Sequence, residues 1–176
     1  MVAKRIADLI TFTRGLIAAV LVWVGFEFGA AGLSLAAWLM LADWVGDMSD
    51  GRIARLSRVE YHTWIGDHDL EVDLTVSVGL LVFLVKANFV HVWLAAGYLI
   101  VWGIYFGLQK EISHSMGMLF QAPTYGWLIW VAVQNAPLAG WSIVIFLVLA
   151  IVITWPYFPN VMVPGFLEGV WRAHRK

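Results

Sequence analysis

Six apolar runs alternate with polar breaks along the chain, at about 9–28, 31–49, 67–86, 88–108, 117–135 and 138–156. Roughly 20 mostly apolar residues are enough to cross a bilayer as a helix, so the pattern predicts six transmembrane helices. The breaks after the first, third and fifth runs are short. Those at 51–66 and 109–116 are longer and polar. No repeat, low-complexity tract or linker divides the chain, and 1–176 reads as a single transmembrane domain. Lys4 and Arg5 precede the first run as they would in a signal peptide. That run is longer than an h-region of about 7–15 residues and contains Arg14, so it reads as a retained helix.

Charge orients these helices. With an even number of spans both termini lie on one side. Lys4, Arg5, Arg14, Arg52, Arg55, Arg58, Lys110, Arg172, Arg175 and Lys176 all fall on or beside that side, and only Lys86 falls opposite. The positive-inside rule then places both termini in the cytoplasm. The expected fold is an all-α polytopic integral membrane protein of the inner or plasma membrane. Composition agrees: 61% of the 176 residues are hydrophobic and 13% charged, against about 45–50% and about 25% in soluble domains. A net charge of −1 gives no reason to expect a nucleic-acid partner. The absence of cysteine excludes disulfides and thiolate metal sites. Trp23, Trp44, Trp64, Trp141 and Trp155 lie near predicted span ends, as in an aromatic belt.

One stretch interrupts the apolar pattern. Eight of the twelve acidic residues lie between Asp43 and Asp73, where both ends run into apolar helices. Carboxylates at such places are costly and commonly functional. At about 100° per residue, Asp43, Asp47, Asp50 and Ala54 share one stripe of the second helix. Asp69 and Asp73, one turn apart, share a face of the third helix, and Gly66 lies on it too. Asp67 and Glu71 point the other way and read as solvated interfacial acids. Opposed antiparallel helices would therefore bring Asp47, Asp50, Asp69 and Asp73 together. Four carboxylates in one site require protons or cations. An oxygen-only ligand set suits Mg²⁺, Mn²⁺ or Ca²⁺, and two divalent ions balance four charges while bridging phosphate oxygens. Gly51 and Ala54 leave room for a ligand near the backbone, and Arg55 offers a fork for phosphate. Asp43 lies deeper on the stripe, where it could support the others from behind.

At these positions the chain resembles the CDP-alcohol phosphotransferase family, whose signature is D-x2-D-G-x2-A-R followed by G-x3-D-x3-D. Asp47, Asp50, Gly51, Ala54 and Arg55 match the first half and Asp69 and Asp73 the end of the second. Gly66 stands one place late, with Ile65 at the family's glycine position. Thr11 and Arg14, within Ile10-Thr11-Phe12-Thr13-Arg14, resemble the family's L-T-x-x-R.

The resemblance implies two Mg²⁺ or Mn²⁺ ions held by Asp47, Asp50, Asp69 and Asp73, and a CDP-linked lipid donor such as CDP-diacylglycerol. It places Asp47, Asp50, Gly51, Ala54, Arg55 and Gly66 at the nucleotide, Asp73 as general base on a small alcohol acceptor, and CMP as the leaving group. It also implies a homodimer, and the charge-derived orientation turns the acidic stretch to the cytoplasm. Small bacterial members commonly use glycerol 3-phosphate as acceptor, and inositol phosphate, serine or another alcohol are alternatives. Arg14, Arg58, Lys110 and His114 are candidates to hold an acceptor phosphate. His62 and His68 flank the motif off its acidic face. A divalent-cation transporter is the rival from another class, but it requires polar groups through the bilayer depth, and the last three runs contain few. A silent scaffold would not need the aspartate set.

Overall fold

The computed structural model describes residues 2–56, 69–109 and 112–173, with side chains for 9–49, 69–109 and 112–173. All the regular structure among these residues is helical, and none is strand. Helices occupy all six apolar runs: α1 (Val2–Phe28), α2 (Leu33–Leu56), α3 (Asp69–Lys86), α4 (Val92–Leu108), α5 (His114–Asn135) and α6 (Pro137–Ile153). A seventh helix, α7 (Val163–Ala173), follows a π turn at Phe158–Met162 and was not anticipated from the sequence. The stretch Leu9–Ser49 is long and apolar enough to cross a membrane. α6 and the arm Phe158–Ala173 reach the same standard only as a pair bent by 85°.

The chain divides into two compact units, Met1–Val90 and His91–Lys176. In the first, α1 is the helix on which α2 and α3 both pack. A 3₁₀ turn at Gly29–Gly32 reverses the chain between α1 and α2. It begins at Gly29 with φ +52°, a left-handed conformation natural to glycine after a helix. Close approach then sets the register between α1 and α3. A Cβ at Gly79 would lie 2.7 Å from the Ala18 carbonyl oxygen, and one at Gly25 would lie 2.9 Å from Phe83 Cα. Small residues let helix backbones meet in this way. Leu21, Val24, Met40, Val76, Leu80, Phe83 and Leu84 fill the core between the three helices. Because residues 18 and 25 of α1 meet 79 and 83 of α3, these two helices run parallel, with α2 antiparallel to both. Arg14, Asp43 and Asp73 are thereby brought to one level.

In the second unit α5 packs on α6 and α7. The connection at Ala136 is tight: a Cβ at Gly140 would lie 2.6 Å from Val133 Cα. α4 meets α5 through aromatic rings, with Tyr98 stacked on Phe120 and Trp102 edge-on to it. Pro123 has no N–H to give the Leu119 carbonyl. In the same turn of α5 the Phe120 carbonyl accepts a hydrogen bond from the Tyr98 hydroxyl. Gly103 and Gly107, a small-xxx-small pair, meet nothing within 4 Å at an added Cβ among the described residues.

Candidate metal centre

Arg14, the one basic residue in the apolar run 9–28, must find an anion or a route to water. Arg14 finds four aspartates. Its Nε donates to Asp43 Oδ1 at 3.1 Å. Nη1 lies 3.0 Å from Asp47 Oδ1 and 3.0 Å from Asp69 Oδ1, and Nη2 donates to Asp73 Oδ1. The arginine side chain is only 3% exposed. Asp43 is sealed beside it, Asp73 is mostly covered, and Asp47 and Asp69 open to the outside at 47% and 38%. Exposure thus grades from a buried ion pair at Asp43 to an accessible mouth at Asp47 and Asp69.

Helix geometry explains the convergence. Asp43 and Asp47 are one turn apart on α2, as Asp69 and Asp73 are on α3, so each pair lies on one face. Both faces turn to α1, and Arg14 occupies the place where they meet. Gly46 helps, since an added Cβ there would already touch Arg14 Cδ at 3.4 Å. One carboxylate oxygen from each of Asp47, Asp69 and Asp73 lies within 4.8 Å of the others. Three oxygen donors this close fit a hard divalent cation, which takes carboxylate and water oxygens in preference to softer ligands. Arg14 alone does not balance the charge. Four carboxyl groups meet a single guanidinium at the cluster.

The expected residues divide accordingly. Asp47, Asp69 and Asp73 come together. Asp43, read as a supporting residue, is the buried partner of Arg14 Nε. Asp50, Gly51, Ala54 and Arg55 continue α2 beyond Asp47, with their side chains outside the described residues. Gly66, Arg58, Lys110, His62 and His68 lie outside the described residues as well. His114 is exposed at the first turn of α5, in the second unit, behind the Ser113 N-cap. Arg14, a candidate for holding an acceptor phosphate, lies among the carboxylates and pairs with them. An unpaired cation inside an apolar run, with acids concentrated in the next two helices, was the available signal for that pairing.

Neither the family models, the curated proteins nor the solved structures contain a match to this chain.

Proposed function

We propose that the chain is a six-span membrane phosphotransferase of the CDP-alcohol type, with both termini and its acidic site on the cytoplasmic side. The observation that carries this reading is the convergence of Asp47, Asp69 and Asp73, from two different helices, to within 4.8 Å. They do so at the positions that the family signature assigns to metal ligands. Large exposed apolar side chains, among them Leu9, Trp23, Leu138 and Val148, support a lipid-facing exterior. Charge supports bound cations, since Asp43, Asp47, Asp69 and Asp73 outnumber Arg14, the guanidinium that engages them.

In this reading Asp47, Asp50, Asp69 and Asp73 hold Mg²⁺ or Mn²⁺. The bound ions supply charge neutralisation for the donor pyrophosphate and the departing CMP. The protein supplies position and proton transfer. Gly51, Ala54 and Arg55 extend α2 toward the nucleotide. Arg14 keeps the carboxylates of α2 and α3 at one level and limits their mutual repulsion. Asp73 takes the proton from the acceptor hydroxyl. That oxygen bonds to the β-phosphorus as the bond from phosphorus to the CMP oxygen breaks, giving a phosphodiester and CMP. A site at the membrane surface lets CDP-diacylglycerol keep its chains in the bilayer, and glycerol 3-phosphate is the favoured acceptor.

The test is CMP release from CDP-diacylglycerol by the reconstituted protein. Glycerol 3-phosphate, inositol phosphate, inositol, serine and an amino alcohol would be offered in turn, with lipid products identified by mass spectrometry. Release is expected only with Mg²⁺ or Mn²⁺ and an acceptor. Silence with every acceptor at saturating metal overturns the reading.

A further inference from the structure

α7 has a division of faces that the enzyme reading does not use. At about 100° per residue, Val163, Leu167 and Trp171 run along one flank, and Glu168 and Arg172 centre about 120° round the helix from it. The polar pair is joined by an exposed i,i+4 ion pair at 3.3 Å. α7 is held to its own unit by a different flank: an added Cβ at Gly169 would run into the side chain of Ser115 in the first turn of α5. Leu167 and Trp171 are left 54% and 66% exposed. Leu167 is therefore not on the flank by which the helix docks on α5.

The chain around α7 indicates what covers the apolar flank. α6 is a 17-residue apolar helix without a charged residue, and the arm that contains α7 leaves it at 85°. If α6 runs along the bilayer normal, α7 runs in the plane of the surface. Eleven residues of helix reach about 16 Å, too short for a hydrocarbon core of about 30 Å. Trp155 and Tyr157 stand exposed at the bend, with the amphipathic rings that collect at headgroup depth. The next residues in the chain are His174, Arg175 and Lys176, a basic segment suited to anionic headgroups.

We propose that α7 is an interfacial helix lying flat on the membrane, with Val163, Leu167 and Trp171 inserted at the boundary between headgroups and acyl chains, and Glu168 and Arg172 in water. The occupant of the apolar flank is the lipid surface itself. The proposal rests on the reading of α6 as a span.

The chain 1–176 has no cysteine, so single nitroxide labels can be placed in it. Leu167→Cys, Trp171→Cys and Glu168→Cys report on α7, and Val148→Cys reports on α6. The proteins are reconstituted in vesicles of phosphatidylethanolamine and phosphatidylglycerol, and label relaxation by oxygen and by a neutral nickel chelate is compared. Oxygen is expected to win at 167, 171 and 148, and the chelate at 168, a reversal of the accessibility ratio within one turn. Equal access of the chelate to 167 and 168, with 148 protected, places α7 in water and overturns the proposal alone. A label at 167 shielded from both reagents means that protein covers the flank, and this too overturns it. Free access of the chelate to 148 removes the span and the proposal together.

Discussion

The Arg14 guanidinium donates its Nε–H to Asp43 Oδ1 at 3.1 Å, and both side chains are almost sealed from solvent. A buried pair of this kind need not stabilise the fold relative to an apolar pair, but removing one partner strands a charge at a cost of about 3–5 kcal/mol. Arg14→Gln and Asp43→Asn should each lower the unfolding midpoint in detergent. The double variant should lose less than the two single losses added together, because it strands no charge. Strict additivity would show that the pair is not coupled. Arg14 also balances Asp47, Asp69 and Asp73, so the Arg14→Gln variant should gain more in Tm from Mg²⁺ than the parent does. Binding to the folded state alone stabilises it by mass action, and the variant's acids would have lost the Arg14 counter-charge.

The three converging carboxylates predict a metal requirement with a defined chemistry. Chelation by EDTA should abolish CMP release, and Mg²⁺ or Mn²⁺ should restore it, because the ligands are oxygen atoms only. Mn²⁺ titration followed by its paramagnetic resonance signal separates binding from turnover. Asp47→Asn and Asp69→Asn should each weaken Mn²⁺ binding by an order of magnitude or more, while Glu71→Gln, on the same helix as Asp69 but off its face, should leave it unchanged. Equal effects from Glu71 and Asp69 would make the signal one of bulk charge, not of a site.

Some of this architecture was readable in the chain and some was not, for physical reasons. Six apolar runs announced six helices because hydrophobic length is a local property. Asp43 with Asp47, and Asp69 with Asp73, were assignable to single faces because helical periodicity fixes which residues share a side. Periodicity does not say which neighbouring helix that side meets. Opposed α2 and α3 were expected to meet directly, and the structure has both packing on α1, with Arg14 between their acids. The register that achieves this depends on Gly25 and Gly79, whose value lies in an absent side chain and leaves no mark on a hydropathy profile. α7 was missed although Val163, Leu167 and Trp171 recur at helical spacing. It is short, carries Pro164 and two glycines, and lies beyond the last apolar run.

That glycine-set register is itself testable. A Cβ at Gly79 would lie 2.7 Å from the Ala18 carbonyl oxygen and 3.0 Å from Ala18 Cα, and backbone atoms cannot turn aside as a side-chain tip can. Gly79→Ala should cost about 1–3 kcal/mol, the usual penalty for overpacking a closed interface. It should also reduce activity by displacing Asp73 relative to Arg14. Gly103→Ala, where the added Cβ meets nothing within 4 Å among the described residues, should be neutral or stabilising by up to about 1 kcal/mol. Thermal unfolding of both variants in one detergent, with CMP release measured beside it, makes the comparison. Similar tolerance at both positions would mean that α1 and α3 are not in close contact at Ala18.

Asp73 differs from the other two members of the cluster in ways that suit proton transfer. It is the most enclosed of the three, at 16% side-chain exposure against 38% for Asp69 and 47% for Asp47. Its Oδ1 is engaged by Arg14 Nη2, so the carboxylate is oriented before substrate arrives. A general base contributes about 10²–10⁴-fold to a rate. Asp73→Asn should therefore lower kcat by a factor in that range. The asparagine also loses a ligand charge, so Mn²⁺ affinity should fall about as it does in Asp47→Asn or Asp69→Asn, and a base role requires kcat at saturating Mn²⁺ to fall by more. The rate of CMP release at saturating donor and the Mn²⁺ affinity, both measured on the same preparation, decide the matter. If the two decline by the same factor, Asp73 is a ligand only and another group accepts the hydroxyl proton. If kcat collapses while Mn²⁺ still binds, the base is Asp73, and the pairing with Arg14 is what aims it.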